Sequence, residues 1–406
     1  MIVYLVNRYF WPDESATALL LTDLAEDLRA VGHEVHVLTS RQLYNRPQAQ
    51  LPEHQIWQGI QIHRLNTSRF GRRHFCGRLL DILTFHLALR YTHKITMRPD
   101  AWFVMTDPPL IVNTVLKLRS QVGGRVIHHV DDVYPDLAMA LGSLPQHGLV
   151  PSLLGRWVRA GLRDCDQVLA LGDCMARVLK QKGVADDRLA ITPPWADGSR
   201  LYPLDHAENG FRREIGIPGD HLAVMYSGNM GLGHRFETIL SAARLLAPVD
   251  TVHFVFIGDG AKKPQIDAFR RAHNLKNIMM LPYQPRERLR ETLSAGDIQL
   301  ISLDAKVQGL IVPSKLAGIL AVGRPVVFLG SEQNSIAAAI LQGSCGYIIP
   351  EGDVERLGKV IRGLIKNPED RRRLGESARK LFDREYDRAV VVPKIIFKIE
   401  NNAFKA

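Results

Sequence analysis

Cysteine is sparse in this 406-residue chain: Cys76, Cys165, Cys174 and Cys345 are scattered, and none stands in a Cys-x-x-Cys pair. That excludes a disulfide framework and a zinc ribbon, and leaves reduced structural thiols. Long apolar runs are also missing, so no segment reads as a membrane span. Met1–Val6 has no basic residues ahead of it and is too short for a signal-peptide core, so it reads as a first strand. Together these absences predict a cytoplasmic protein. The glycine fingerprint of dinucleotide enzymes is absent too. Gly228, Gly231 and Gly233 do not have the Gly-x-Gly-x-x-Gly spacing, which argues against an NAD enzyme. Acid is missing locally: between Arg64 and Arg98 the lone carboxylate is Asp81.

What is present describes an ordinary globular chain, 46% apolar and 23% charged, long enough for two domains. A net charge of +10 implies an anionic partner: nucleotide diphosphate, anionic lipid or nucleic acid. No nucleic-acid-binding module accompanies the charge, so nucleic acid is disfavoured.

Strand and helix alternate from the start. Met1–Val6 reads as a strand, and Leu20, Leu21, Leu24, Leu28 and Val31 follow at helical spacing before the strand Glu34–Thr39. This opening predicts a parallel, doubly wound sheet, with ligands at the strands' carboxyl ends. The loop Trp11–Thr17, with small Ser15 and Ala16, falls at such an end. Further on, Arg125–Val130 reads as a strand ending in Asp131-Asp132-Val133-Tyr134-Pro135-Asp136. Adjacent carboxylates repel when ionised, so one of Asp131 and Asp132 should have a raised pKa, suited to deprotonating or polarising a hydroxyl. Asp164-Cys165-Asp166 spells Asp-x-Asp but precedes a strand, so it reads as a connection and no metal is expected.

The basic segment carries Arg69, Phe70, Arg72, Arg73 and Phe75, and then an apolar helix. Two readings stay open for it: a domain helix with a solvated basic face, or a patch for acceptor phosphate and an anionic membrane surface. The stretch Leu149–Leu162, with Trp157, Arg156 and Arg159, could extend such a patch.

A second strand–helix series begins at Leu222–Tyr226. It runs into Ser227-Gly228-Asn229-Met230-Gly231-Leu232-Gly233-His234-Arg235, a Gly-rich turn of the general phosphate-binding type. Later come Gly258 after a strand, the loop with Tyr283, and the stretch Gly309-Leu310-Ile311-Val312-Pro313-Ser314-Lys315. There a loop feeds a helix, with Ser314 as its expected cap and Lys315 adding charge. Gly323 stops that helix before the strand Val326–Leu329.

Taken in order, the Ser15-Ala16 loop, Asp132-Val133-Tyr134-Pro135-Asp136, Pro194-Trp195-Ala196-Asp197, the Gly228 turn and Pro313-Ser314-Lys315 with Gly323-Arg324-Pro325-Val326 resemble glycosyltransferase family 4. The likeness is to its branch of bacterial cell-surface polysaccharide enzymes, and it covers nearly the whole chain. The resemblance implies a GT-B fold: α/β, two Rossmann-like doubly wound domains facing across a cleft. Residues 1–197 would form the acceptor-side domain and 198–385 the nucleotide-sugar domain, with a C-terminal helix over 386–406 crossing back. It implies a retaining, metal-independent transfer of a hexose-type sugar from a nucleotide-diphosphate sugar to a glycan or polyprenyl-diphosphate-linked acceptor. The enzyme would need no cofactor and would work in the cytoplasm, either free or peripherally on the inner face of the cell membrane.

It further implies donor contacts from Ser15, Ala16, Gly228, Asn229, His234, Arg235, Gly258, Tyr283, Gly309, Leu310, Ile311, Val312, Ser314 and Lys315, with Asp132 on the family's catalytic aspartate and Asp131 beside it. There are two departures. Gly318 stands where the family commonly has the ribose-binding Glu, and Asn229 and His234 stand where it has an Arg and a Lys for the diphosphate. The same departures motivate a rival, a non-catalytic nucleotide-sugar-binding subunit. A GT-B nucleotide-sugar epimerase is the other.

Overall fold

The computed structural model describes residues 1–71 and 75–401, with the backbone alone for Phe75. The chain divides into two compact units. Unit 1 holds Met1–Pro193, Gly309–Ile311 and Val392 onward, and unit 2 holds Pro194–Gln308 and Val312–Val391.

Unit 1 is built on an eight-stranded sheet. Its strands are β1 (Ile2–Val6), β2 (Glu34–Ser40), β3 (His54–Trp57), β4 (Ile60–Leu65), β5 (Ala101–Val104), β6 (Arg125–Val130), β7 (Gln167–Ala170) and β8 (Leu189–Ile191), in the order β3-β4-β2-β1-β5-β6-β7-β8. All pairs are parallel except β3 with β4. The helices are α1 (Ala16–Ala30), α2 (Phe75–Arg90), α3 (Ile111–Val122), α4 (Asp136–Ala140), α5 (Leu149–Asp164) and α6 (Asp173–Gln181). Central strands such as β1 and β5 are apolar, β5 buried throughout and β1 from Val3 onward, because helices cover both faces of a parallel sheet.

The β3–β4 hairpin escapes the periodicity reading. Its two-residue turn is Gln58-Gly59, both at positive φ (49° and 78°), a geometry that glycine makes possible. Arg64, counted with the basic surface by sequence, is fully buried. Its guanidinium donates to Pro52 O, Gln55 Oε1 and Trp11 O, and burial lowers its pKa to about 10. Asp81 is buried as well. It accepts from Ser68 Oγ (2.7 Å), Phe70 N–H (3.0 Å), Gly71 N–H (2.9 Å) and Arg8 (3.1 Å), so it ties down the loop before α2.

Unit 2 carries α7 (Gly210–Glu214), β9 (Leu222–Ser227), α8 (Glu237–Leu245), β10 (Val252–Ile257), α9 (Lys263–Ala272), β11 (Ile278–Leu281), α10 (Leu289–Ser294), β12 (Ile298–Ser302), α11 (Lys315–Ala321), β13 (Val326–Leu329), α12 (Ser335–Gly343), β14 (Gly346–Ile349), α13 (Val354–Lys366) and α14 (Pro368–Glu385). The strand order β11-β10-β9-β12-β13-β14 is wholly parallel. Its core gathers Tyr226, Phe236, Phe254 and Phe256 between sheet and helices. The last helix, α15 (Arg388–Glu400), begins in unit 2 and clusters with unit 1 from Val392; there His33 meets Glu400 at 2.9 Å. The split falls at Pro193–Pro194, where the resemblance set the boundary after residue 197.

One buried cation holds the start of unit 2. Arg212 donates to Ala295 O (2.7 Å), Asp297 (2.9 Å), Pro218 O (3.0 Å) and His221 O (2.6 Å). Replacing it by Met leaves the buried Asp297 carboxylate without its nearest cation, with the more distant Arg371 (3.9 Å) and His206 (3.7 Å) beside it. Arg212→Met should cost unit 2 about 3–5 kcal/mol, read as a lowered midpoint in urea denaturation followed by circular dichroism.

Candidate functional site

In unit 2 the strand order reverses about β9, with β10 on one side and β12 on the other. Open α/β sheets bind ligands at such a switch point, outside the strands' carboxyl ends. The turn after β9 begins at Gly228, with φ +127°. Gly258, at the end of β10, is its neighbour: a Cβ there would stand 2.2 Å from Gly228 O, so both positions require glycine. Tyr283 borders Gly258 and is half exposed. Tyr226 lies under the turn, its hydroxyl donating to Asn229 O at 2.8 Å.

Three basic residues are candidates at this turn, His234 and Arg235 beside it in the chain and Lys315 from the distant start of α11, and their surroundings differ. Arg235 Nε donates to Asp304 at 2.8 Å, so its guanidinium is engaged. His234 Nδ1–H donates to Ser302 O at 2.5 Å; burial, and then the Lys315 charge, lowers its pKa to about 4 and keeps the ring neutral. Lys315, the first residue of α11, reaches back under the turn. Its Nζ lies 3.5 Å from the centroid of the Tyr226 ring, and a Cβ on Gly228 would be 3.3 Å from it. The amine is buried and, among the described residues, has no hydrogen-bond partner; burial lowers its pKa to about 7. A bare amine under a glycine turn is a place for an anion's oxygens.

Ser314 does not play its expected part. It is exposed, sits in helical backbone conformation and makes no side-chain capping bond, because the helical geometry already begins there. Gly318 faces Leu293, whose Cδ1 would be 3.2 Å from an added Cβ, so this position is packed against an apolar side chain. Asn229 is exposed.

In unit 1, Asp131 and Asp132 follow β6. Thr106, just past β5, accepts at Oγ1 from both of their N–H groups (3.3 Å each) and donates to Asp131 Oδ2. Asp132 borders a cavity of about 40 Å³ with His128, Tyr134, Val158 and Leu162, room for water and too small for a sugar. Burial first, then the charges of Asp131 and Asp107, push the Asp132 carboxyl up to about 7. His128 Nδ1–H donates to Val104 O, and burial lowers that imidazole to about 4. The segment Gly309–Ile311 joins this group: Leu310 O accepts from Val133 N–H at 2.8 Å, and Ile311 bridges Asp132. Gly309, at φ +74°, lies against Cys174 and Val178 of α6. Ser15 Oγ, ahead of α1 and Ala16, is buried without a partner among the described residues. Val312 falls in unit 2.

Of the basic patch, Arg69 is partly buried and, once the Gln50 amide is turned, donates to that amide's oxygen; Phe70 is exposed. Arg72 and Arg73 lie outside the described residues, as does the side chain of Phe75. Asp166 of the Asp-x-Asp sequence accepts from Arg119 (3.0 Å) and Val126 N–H (2.8 Å), so it is a structural connector. Among the described residues no cluster of three or more His, Cys, Asp or Glu is placed to hold a metal. Tyr226 and Thr106 were not found by sequence reading. A polar residue just past a strand's carboxyl end, as Thr106 is, was the available signal.

Residues 208–381, within unit 2, match the family described as "Glycosyl transferases group 1", and residues 17–195 match the "Glycosyl transferase 4-like domain". The chain belongs to the GT-B glycosyltransferases of these two families. WcaI of Escherichia coli K12, assigned as a colanic acid biosynthesis glycosyl transferase, is 25% identical over 95% of this chain and 97% of its own. The fold is shared with sucrose-phosphate synthase from Thermosynechococcus elongatus (TM-score 0.79, 16% identity, 98% of each chain). It is shared also with Anabaena HepE in complex with UDP-glucose (TM-score 0.69, 12% identity, 98% of this chain and 99% of that).

The lone amine predicts a particular stability profile. Lys315 has a lowered folded-state pKa, so between about pH 7 and 10.5 the unfolded chain holds a proton that the folded one has lost. Stability should therefore rise with pH across that window, by up to about 1.4 kcal/mol per unit from this group. Lys315→Met should be more stable than wild type at pH 7 and lack this slope, as read from urea denaturation at pH 7, 8 and 9.

Proposed function

We propose that the protein is a retaining glycosyltransferase. It moves a hexose-type sugar from a nucleotide-diphosphate sugar to a glycan or lipid-linked acceptor in cell-surface polysaccharide biosynthesis, without a metal. The observation that carries this reading is the buried, unpartnered Lys315 amine beneath the Gly228 turn. An ammonium at that place stabilises a diphosphate as it leaves, and low local polarity strengthens the effect. The relatives' names favour polysaccharide synthesis, and the UDP-glucose bound by HepE favours a nucleotide-sugar donor.

In the proposed reaction the bond from the anomeric carbon to the diphosphate breaks, and the acceptor oxygen bonds that carbon on the same face. The acceptor proton passes to the departing diphosphate. Asp132, raised to about 7, orients and polarises the acceptor hydroxyl when ionised. Metal independence is supported by the placement of Asp166, whose carboxylate is spent on Arg119 and Val126. Gly318 removes the usual ribose clamp and offers no side chain in its stead.

Binding the diphosphate should raise the Lys315 pKa, so above pH 7 the donor must bring a proton with it. Titration calorimetry of UDP-, GDP- and dTDP-sugars at pH 8, in buffers of different ionisation enthalpy, should show uptake of up to one proton for the true donor. Lys315→Met should abolish both binding and uptake. Absence of heat with every donor would overturn the reading, and binding without subsequent donor hydrolysis or transfer would favour a non-catalytic binding subunit.

With a bound acceptor, kcat should rise with pH through about 7 as Asp132 ionises. Asp132→Asn should remove that limb and lower kcat roughly 10²–10⁴-fold. Activity should survive EDTA unchanged.

A further inference from the structure

Three helices of unit 1 lie side by side. α3 is tied to α2 through His86 Nδ1 and Thr114 Oγ1 (2.8 Å), and to α5 through Asn113 Nδ2, which donates to Trp157 O at 2.9 Å. Gly161 of α5 packs on the same Asn113. The two outer helices expose apolar stripes with one spacing. On α2 these are Leu79, Leu80, Leu83 and Leu87, each between 45% and 57% exposed. On α5 they are Leu149, Val150, Leu153 and Trp157, between 59% and 84% exposed. Both sets stand at i, i+1, i+4 and i+8, which gathers them on one side of a helix. Scattered surface leucines need no explanation, but two such stripes on the helices flanking α3, one with an exposed Trp, do.

Charge accompanies them. Next to its apolar stripe, α5 carries Arg156, Arg159 and Arg163, on a second stripe at i, i+3 and i+7. With Lys182 these line an open groove of about 440 Å³. Lys182 is paired with Asp136, but among the described residues no carboxylate pairs with the three arginines. The lone acid of α2, Asp81, is buried on Arg8 and offsets nothing at the surface. The inward face of α5 supplies Val158 and Leu162 to the cavity beside Asp132.

We infer that the α2–α5 face of unit 1 docks on an anionic lipid bilayer, with the two apolar stripes in the headgroup boundary and the α5 arginines on lipid phosphate. No helix among the described residues is long and apolar enough to cross a membrane, so the contact is lateral. Arginines beside an apolar stripe match anionic phosphate over acyl chain, whereas a second copy of this face would set like charges together. The consequence for activity rests on the proposed acceptor role of Asp132. A lipid-borne acceptor held at this face arrives at the helix whose other side lines that residue's cavity.

Flotation of the full chain with vesicles tests the surface without reference to catalysis. Wild type should float with phosphatidylcholine–phosphatidylglycerol vesicles, stay down with phosphatidylcholine alone, and be released by high salt. Arg156/Arg159/Arg163→Ala should lower partitioning by about fivefold per arginine removed, and Leu153→Glu/Trp157→Glu should abolish it. All these positions lie on the surface, and donor titration should be unchanged in both variants, which shows that they remain folded. Failure of wild type to float, or equal recovery of the variants, would overturn the inference while leaving the donor reading intact. So would a dimer in sedimentation that is lost in the Trp157 variant while wild type does not float. Loss of donor binding by Lys315→Met together with full flotation would separate the two sites.

Discussion

A buried ammonium without a counter-charge is the constraint around which the C-terminal half is arranged. Water would solvate the Lys315 amine far better than a tyrosine ring and a glycine turn do, and its lowered pKa measures that loss. Such a group persists in a protein when something bound repays the loss. The sheet makes the placement possible: β9 ends at Ser227, Gly258 leaves room for the Gly228 carbonyl because it has no Cβ, and α11 begins close enough for a lysine stem to pass beneath. On the proposed donor reading, stability and binding are opposed at one atom, the trade-off that preorganised sites commonly show.

Asp132 is the counterpart in unit 1, and its physics has the opposite sign. There burial and two neighbouring carboxylates favour the protonated form. A group poised near neutrality can take or release a proton at little cost, whereas an ordinary surface aspartate cannot. Thr106 fixes the backbone of both aspartates, so the carboxyl's position is inherited from the end of β5. Asp132 follows the carboxyl end of β6, and Lys315 begins α11 and lies under the turn after β9, so burial shifts an ionisable group beside a strand's end in each unit.

Much of the fold was legible in the chain. The alternation of apolar strands with amphipathic helices was readable because burying both faces of a parallel sheet leaves a run of apolar residues, as in Val326–Leu329. The β3–β4 hairpin was not, since Gln58-Gly59 is a weak turn signal and His54–Trp57 is only partly buried. The candidate residues were legible as loops within each unit: the Asp131-Asp132 corner in unit 1, and the Gly228 turn and the start of α11 at Lys315 in unit 2. Side-chain roles within those loops were harder. Ser314 has the composition of a cap, yet helical backbone at that residue turns its hydroxyl to solvent. Arg64 looked like surface charge and proved to be an internal strut.

The sequence by itself determined the two α/β units and the family. Both follow from periodicity and from short motifs in fixed order, which need no knowledge of distant contacts. Only the tertiary structure decided which of three cations is left for an anion. Arg235 is taken by Asp304, 69 residues away in the chain, and His234 by Ser302, 68 residues away. Lys315 remains because, among the described residues, no acceptor stands beside it, and that is a property of the space around an atom, which no local pattern encodes.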